Sequence, residues 1–165
     1  MTRLATFLQE LELEMATTRK MLSRIPEDQY EYKPHEKSMN IRSLASHIAE
    51  LPSWLHLALN TEELDFATSP YQPEIINNNA QLMAYAEKNY ETGKTALQQG
   101  AEDSLEQNWK LRDGETIYVS CTRADMIRTS LSQIIHHRAQ LGVYLRLLNV
   151  PIPGSYGPSA DDMSF

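Results

Sequence analysis

The chain has one cysteine, Cys121, so it can form neither an internal disulfide nor a CxxC metal or redox motif. A lone thiol suits a reducing cytoplasm. No apolar run approaches ~18 residues, the length a spanning helix needs. The segment Met1 to Leu13 interrupts its apolar residues with Arg3, Glu10 and Glu12, which denies it the apolar stretch of a signal peptide. Positive charge is also scarce. Fifteen Lys and Arg stand against 22 Asp and Glu, a net charge of −7, and no basic patch gathers, which disfavours a nucleic-acid partner. There is no Gly-rich phosphate loop, GxSxG elbow, HExxH pair or EF-hand loop, and nucleotide-driven chemistry is disfavoured with them. With 165 residues the chain is expected to form one domain over 1–165. A domain of that size buries ~70% of its unfolded surface without staples, so any metal serves function rather than folding.

What the sequence does have is helical periodicity. From Arg3 to Ile25, apolar residues recur every three or four positions, and Pro26 ends the pattern. Tyr30 to Met39 reads as a loop, after which Ser38 or Asn40 can cap a second helix carrying Ile41, Leu44, Ile48, Leu51 and Leu55. Pro52 falls inside that pattern and should kink the helix near Ile48. Asn60 to Pro73 lacks a period and reads as a connecting loop. A third helix is expected from Ile75 to Gln99, weakened by Gly93 and stopped by Gly100. Asp113-Gly114 between two apolar stretches predicts a type I′ hairpin that sets Trp109 opposite Tyr118. The fourth helix opens at Thr122 or Arg123 and runs to Leu148, followed by an irregular tail from 150 to 165. Four helices with one apolar stripe each must bury those stripes on one another. The expected fold is an all-α four-helix bundle with a small β-hairpin insert before the last helix.

Two histidines sit at the margins of two core stripes: His47 beside Leu44, Ile48 and Leu51, and His137 beside Ile134 and Leu141. On neighbouring helices they can converge at a half-buried position that suits neutral imidazoles binding a divalent metal. The same placement is also that of an ordinary hydrogen-bonded boundary histidine, and spacing alone leaves both readings open. Glu50, three residues after His47, is either a solvated helix residue or an outer partner of a ligand. Trp54 and Tyr144 fall on the same flank and could wall a pocket, whereas His35 and His56 read as surface residues.

The string His137-Arg138-Ala139-Gln140-Leu141-Gly142-Val143-Tyr144, running on to Leu148 and then through Pro151 to Asp162, resembles the C-terminal signature of the DinB-like (DinB/YfiT-like) metalloenzyme family. Lys33 to Met39, followed by Ile41 through His47-Ile48-Ala49-Glu50-Leu51-Pro52, looks like that family's second-helix motif. The resemblance covers the whole chain. It implies up-down-down-up connectivity and a divalent metal, nickel, zinc or iron, held between one histidine of the second helix and an HxxxH pair on the fourth. His47 and His137 match two of those ligands, and Gln133 occupies the position of the third. An amide oxygen is a poorer ligand for a transition ion than imidazole, so the implied site is weak or lost. The resemblance further implies a transferase or hydrolase acting on a small molecule, a thiol cosubstrate, Glu50 and Tyr144 in catalytic or proton-handling roles, and pairing as a homodimer. The competing expectation is a non-catalytic stress-response or binding module that has lost its metal.

Overall fold

The computed structural model describes residues 2–163, so Met1 and the last two residues of the tail lie outside it. Helix α1 spans Arg3–Leu22, with the Thr2 side chain accepting from the Ala5 amide at its start. It buries Leu4, Phe7, Leu11, Met15 and Leu22. Asn40 caps α2, Ile41–Glu50, by accepting from the Ser43 amide, and α3, Ser53–Asn60, follows after Leu51 and Pro52. Helix α4, Asn79–Gln99, is capped by Asn78, and α5 covers Arg123–Leu147 behind a reciprocal capping box between Thr122 and Asp125. Helix α1 packs on α4 and α5, and so do α2 and α3, which places the α2–α3 pair across the core from α1. The packing of α2 on α5 is what brings their two histidines to one place.

Three strands complete the fold: β1 at Glu63–Asp65, β2 at Asn108–Asp113 and β3 at Thr116–Thr122, in the order β1-β2-β3. β1 runs parallel to β2 and β3 runs antiparallel to it. The all-α four-helix bundle is therefore corrected: the chain has five helices and a three-stranded mixed sheet. Two physical causes account for this. Pro52 has no N–H to give the Ile48 carbonyl, so the second apolar pattern divides into α2 and α3 at Leu51-Pro52 instead of bending as one helix. In the segment expected to be a plain loop, Leu64 pairs with Leu111, 47 residues on, and a three-residue strand is too short to show an alternation.

Asp65, 6% exposed, fastens this sheet to the hairpin. Its carboxylate accepts from the amides of Ala67 and Gly114 at 3.0 and 2.9 Å and pairs with Arg112 at 2.8 Å. The hairpin register also differs from expectation. Trp109 faces Cys121, Asp113 faces Thr116, and a bulge between Leu111 and Arg112 leaves Tyr118 without a partner in the ladder. The turn residues are Gly114 and Glu115, and only Gly114 has positive φ, at 58°, so the turn is not type I′. Helix α4 starts at Asn79 rather than Ile75, which is 77% exposed and contributes nothing to the core stripe. Gly93, a weak point for propensity, has a packing reason: a Cβ there would stand 2.3 Å from the Pro52 carbonyl oxygen. The backbone of α4 thus touches the Leu51-Pro52 junction between α2 and α3.

After α5 no helix or strand forms among the described residues, yet the tail is held. Arg138, 2% exposed, pairs with the Glu14 carboxylate at 2.7 Å and donates to the Thr18 hydroxyl at 3.1 Å. The Tyr156 hydroxyl accepts from Arg138 Nη2 at 3.0 Å and donates to Glu14 at 2.8 Å. One buried ion pair therefore ties α1, α5 and the tail together.

Candidate functional site

His47 projects from α2 and His137 from α5, and their rings meet edge to face with centroids 4.9 Å apart and planes at 72°. Each ring has an acceptor oxygen beside its Nδ1. The Glu50 Oε2 atom lies 3.6 Å from His47 Nδ1, and Gln140 Oε1 lies 2.8 Å from His137 Nδ1. The His137 contact is a hydrogen bond, and with the Gln140 oxygen as acceptor it leaves the lone pair of that ring on Nε2, whereas the Glu50 oxygen stands beside the His47 ring beyond hydrogen-bond distance. Two imidazoles sharing a tetrahedral ion at ~2.05 Å would have centroids about 5 Å apart, close to the spacing observed. Burial lowers the His137 pKa from its ordinary value; the bond to Gln140 opposes this, and His47 and His136 reinforce it. A neutral ring is the form that ligates.

Glu50 has a second partner in the Tyr71 hydroxyl, which donates to Oε2 at 2.9 Å. Burial, followed by the nearby Glu50 carboxylate, raises the Tyr71 phenol, and the same two causes in the same order raise Tyr85. Glu50 is thus a half-buried carboxylate placed between the His47 ring and a phenol that stays protonated. His47 also opens into a cleft of about 540 Å³ bounded by α2, α3 and the chain from Phe66 to Ile75, with Trp54 in its wall.

Gln133 lies one turn before His137 on α5 and lines a shallow groove with it, together with Arg128, Thr129, Ser132 and His136. His136, which an ideal helix turns elsewhere, sets its ring against that of His137 at a centroid distance of 5.0 Å. Tyr144 is two turns further along α5, ~10 Å from His137 along the axis. Its ring packs edge-on against Tyr32 and is not part of the cleft that His47 lines. Among the described residues no group of three or more His, Cys, Asp or Glu side chains is placed to hold a metal ion. The donor set is therefore two imidazoles with an amide one turn away, which fits a weakly held divalent ion and not a tight one.

His56 and His35 are surface residues, as expected: His56 meets Asn60 at 3.2 Å and His35 accepts from the Lys37 amide at 3.1 Å. Cys121 is partly buried opposite Trp109, and burial followed by Asp125 raises its thiol pKa, which makes it a poor nucleophile. Sequence reasoning missed Tyr71, Gln140 and the buried Arg138. The i,i+3 spacing of His137 and Gln140 was a usable signal. Nothing in the irregular segment around Tyr71 foretells its bond to Glu50. Among the described residues no helix is long and apolar enough to cross a membrane.

Comparison with known proteins places this architecture. The family model described as the DinB family matches residues 1–164, and the chain belongs to that family. It is 30% identical over 129 residues to the uncharacterized protein YjoA of Bacillus subtilis strain 168, covering 78% of this chain and 80% of the relative. The crystal structure of that DinB-like protein superposes with a TM-score of 0.69 at 22% identity, over 91% of this chain and 96% of the other. A DinB-like protein from Bacillus cereus gives a TM-score of 0.69 at 21% identity, over 91% and 95%. A mycothiol-dependent maleylpyruvate isomerase gives 0.57 at 14% identity, over 84% of this chain and 60% of the isomerase. At these identities the structural matches establish the fold alone.

Proposed function

We propose that this DinB-family chain is a metal-dependent transferase or hydrolase acting on a small molecule, with His47 and His137 as the protein ligands of a weakly held divalent ion and Gln133 at the third position. The observation that carries the reading is the pair of imidazoles that α2 and α5 bring edge to face at 4.9 Å, with His137 Nδ1 bonded to Gln140 and the Glu50 carboxylate beside the His47 ring. Nickel, zinc or iron bound there would supply a water or thiol acidified enough to act as a nucleophile near neutral pH. The chain's own part is to orient and to shield. Glu50 stands beside the His47 ring and accepts from the Tyr71 hydroxyl, so it can take or return a proton at Oε2. The apolar cleft beside His47 keeps water from the reacting end of a bound molecule. A thiol cosubstrate belongs to this proposal because a fold neighbour is mycothiol-dependent.

A second reading rests on Gln133. With no group of three or more His, Cys, Asp or Glu placed to hold an ion among the described residues, the same residues would form a polar remnant in a non-catalytic stress-response or binding module. One measurement separates the two. Tag-free protein, stripped with chelator, is titrated with nickel and with zinc, and each His47→Ala and His137→Ala variant is titrated alongside. The enzyme reading expects saturable one-to-one uptake by the wild type that either substitution abolishes. Uptake that is absent from the wild type, or indifferent to His47→Ala, leaves the binding module standing.

A further inference from the structure

The cleft beside His47 has features that the metal chemistry does not use. Its volume of about 540 Å³ falls in the range of small-molecule sites. Most of its wall is hydrocarbon and aromatic, from Met39, Trp54, Phe66, Tyr71, Pro73 and Ile75. Ser46, on the turn of α2 that carries His47, also lines it. That residue is 7% exposed, and its hydroxyl is shielded from solvent with no hydrogen-bond partner among the described residues. An unmatched buried hydroxyl costs stability that a packed alanine would not, so its presence in the wall of a cleft points to a ligand group that completes it.

Charge narrows the ligand further. Arg42 is the one cation among the lining residues, and its guanidinium is already engaged by the Glu31 carboxylate at 2.8 Å and by the Ile76 carbonyl. Glu74 on the rim forms no ion pair among the described residues, and the Glu50 carboxylate lies just beyond Tyr71. In the metal-free chain an anion entering the cleft would lose its water, meet carboxylates and gain no free cation.

We infer that this cleft binds the apolar body of an uncharged or amine-bearing small molecule, with a hydrogen-bonding group on the Ser46 hydroxyl and the reactive end at His47. The placement of the reactive end rests on the function proposed above; the binding itself does not.

The test uses the full chain stripped with chelator, with Trp54 fluorescence as the signal; Trp109 is fully buried and serves as background. Three probes share one apolar body and differ in charge: phenylbutanol, phenylbutylamine and phenylbutyrate. The alcohol and the amine should bind saturably, with the carboxylate at least about tenfold weaker. Ser46→Ala should weaken the alcohol about five- to tenfold, leave butylbenzene unchanged, and raise the thermal midpoint because the orphan hydroxyl is gone. The inference is overturned if neither the alcohol nor the amine binds, if the carboxylate binds as well as they do, or if Ser46→Ala leaves the alcohol unaffected. It is equally overturned by a Trp54 emission maximum or intensity per chain that changes with protein concentration in the absence of probe, since a second copy of the chain would then be the occupant. Metal uptake measured on the same preparation keeps the two proposals apart. Probe binding without uptake removes the metal reading and leaves the cleft; uptake without probe binding does the reverse.

Discussion

Gly93→Ala offers a test in which the two relevant effects have opposite signs. Gly93 lies in the interior of a 21-residue helix, where replacing glycine by alanine ordinarily gains ~1 kcal/mol through propensity and a stiffer unfolded chain. At this position the new Cβ would stand 2.3 Å from the Pro52 carbonyl oxygen, whereas ordinary contact begins at 3.4 Å. The two elements must therefore part by about 1 Å. The obstacle is backbone, not a side chain that can swing away, and it sits where α2 and α3 join. Overpacking of this kind costs ~1–3 kcal/mol, and a full backbone clash belongs at the upper end or above it. Subtracting the propensity gain leaves a net loss of at least ~2 kcal/mol, or roughly 4–8 °C or more in Tm for a domain of this size. Urea unfolding followed by far-UV circular dichroism measures this directly, with Gly157→Ala as the control because a Cβ there meets nothing within 4 Å. The control should stay within ~0.5 kcal/mol of the wild type. A Gly93→Ala variant as stable as the wild type, or more so, would show that the contact at the kink does not constrain the fold and would refute the reasoning.

Other perturbations test separate parts of the structure. Arg138→Met should cost ~3–5 kcal/mol in urea unfolding because it leaves the Glu14 carboxylate buried and unpaired, and replacing Glu14 by Met in the same chain should restore most of the loss. A double variant no more stable than the single one would count against the buried pair as the cause. Stability should also fall in acid, with a sign set by depressed carboxylates. Amide donation from Gly114 holds the Asp65 carboxyl below its ordinary pKa, and Arg146 does the same for Asp161. Each binds its proton more weakly folded than unfolded, so its contribution is complete above about pH 4 and is lost as pH drops through the depressed value. Thermal midpoints measured from pH 3 to 7 should show this fall, and Asp65→Asn should flatten it; an unchanged slope would exclude Asp65 as a contributor. Finally, Gln133→His supplies an imidazole one turn before His137. It should tighten nickel or zinc binding by more than the ~10–100-fold that an outer partner of a ligand contributes, and isothermal titration showing no gain would mean that position 133 does not face the ion.

The helical part of this fold was legible because its core is periodic. Leu4, Leu11, Met15 and Leu22 are buried as the pattern of the first helix requires, and the Thr122 cap is visible three residues before Asp125. What the pattern could not carry is pairing at a distance. β1 is three residues long, and its ladder depends on a parallel partner that no local turn connects to it. The hairpin was found from Asp113-Gly114, but its turn lies one residue later, on Gly114-Glu115, and the bulge at Leu111/Arg112 adds a further residue, so that Trp109 meets Cys121 instead of Tyr118. A bulge adds one residue to one strand without altering the local composition, so alternation alone cannot reveal it. Ile75 misled in the opposite direction, since an apolar residue just before a helix looks like its first turn until Asn78 is recognised as the cap.

The site divides along the same line between what helix geometry determines and what the loops add. His47 and His137 sit on the margins of two stripes, and once both stripes face one core the rings have little choice but to approach; the 4.9 Å separation follows from α2 packing on α5. Glu50 and Gln140 are each three residues beyond their histidine, the spacing at which side chains on one helix meet, so their nearness to the rings follows from sequence separation alone. Tyr71 and the cleft belong to the irregular chain after β1, whose path is fixed by Asp65 holding the Gly114 amide across the sheet. The residues that would bind a metal are thus placed by periodic helices, whereas the cleft that would choose the substrate is shared between Ser46 and Trp54 on those helices and the segment from Phe66 to Ile75, which has no period. Loops vary more readily than the helices that carry them, so the non-periodic wall is where relatives with the same two histidines can differ in what they would bind.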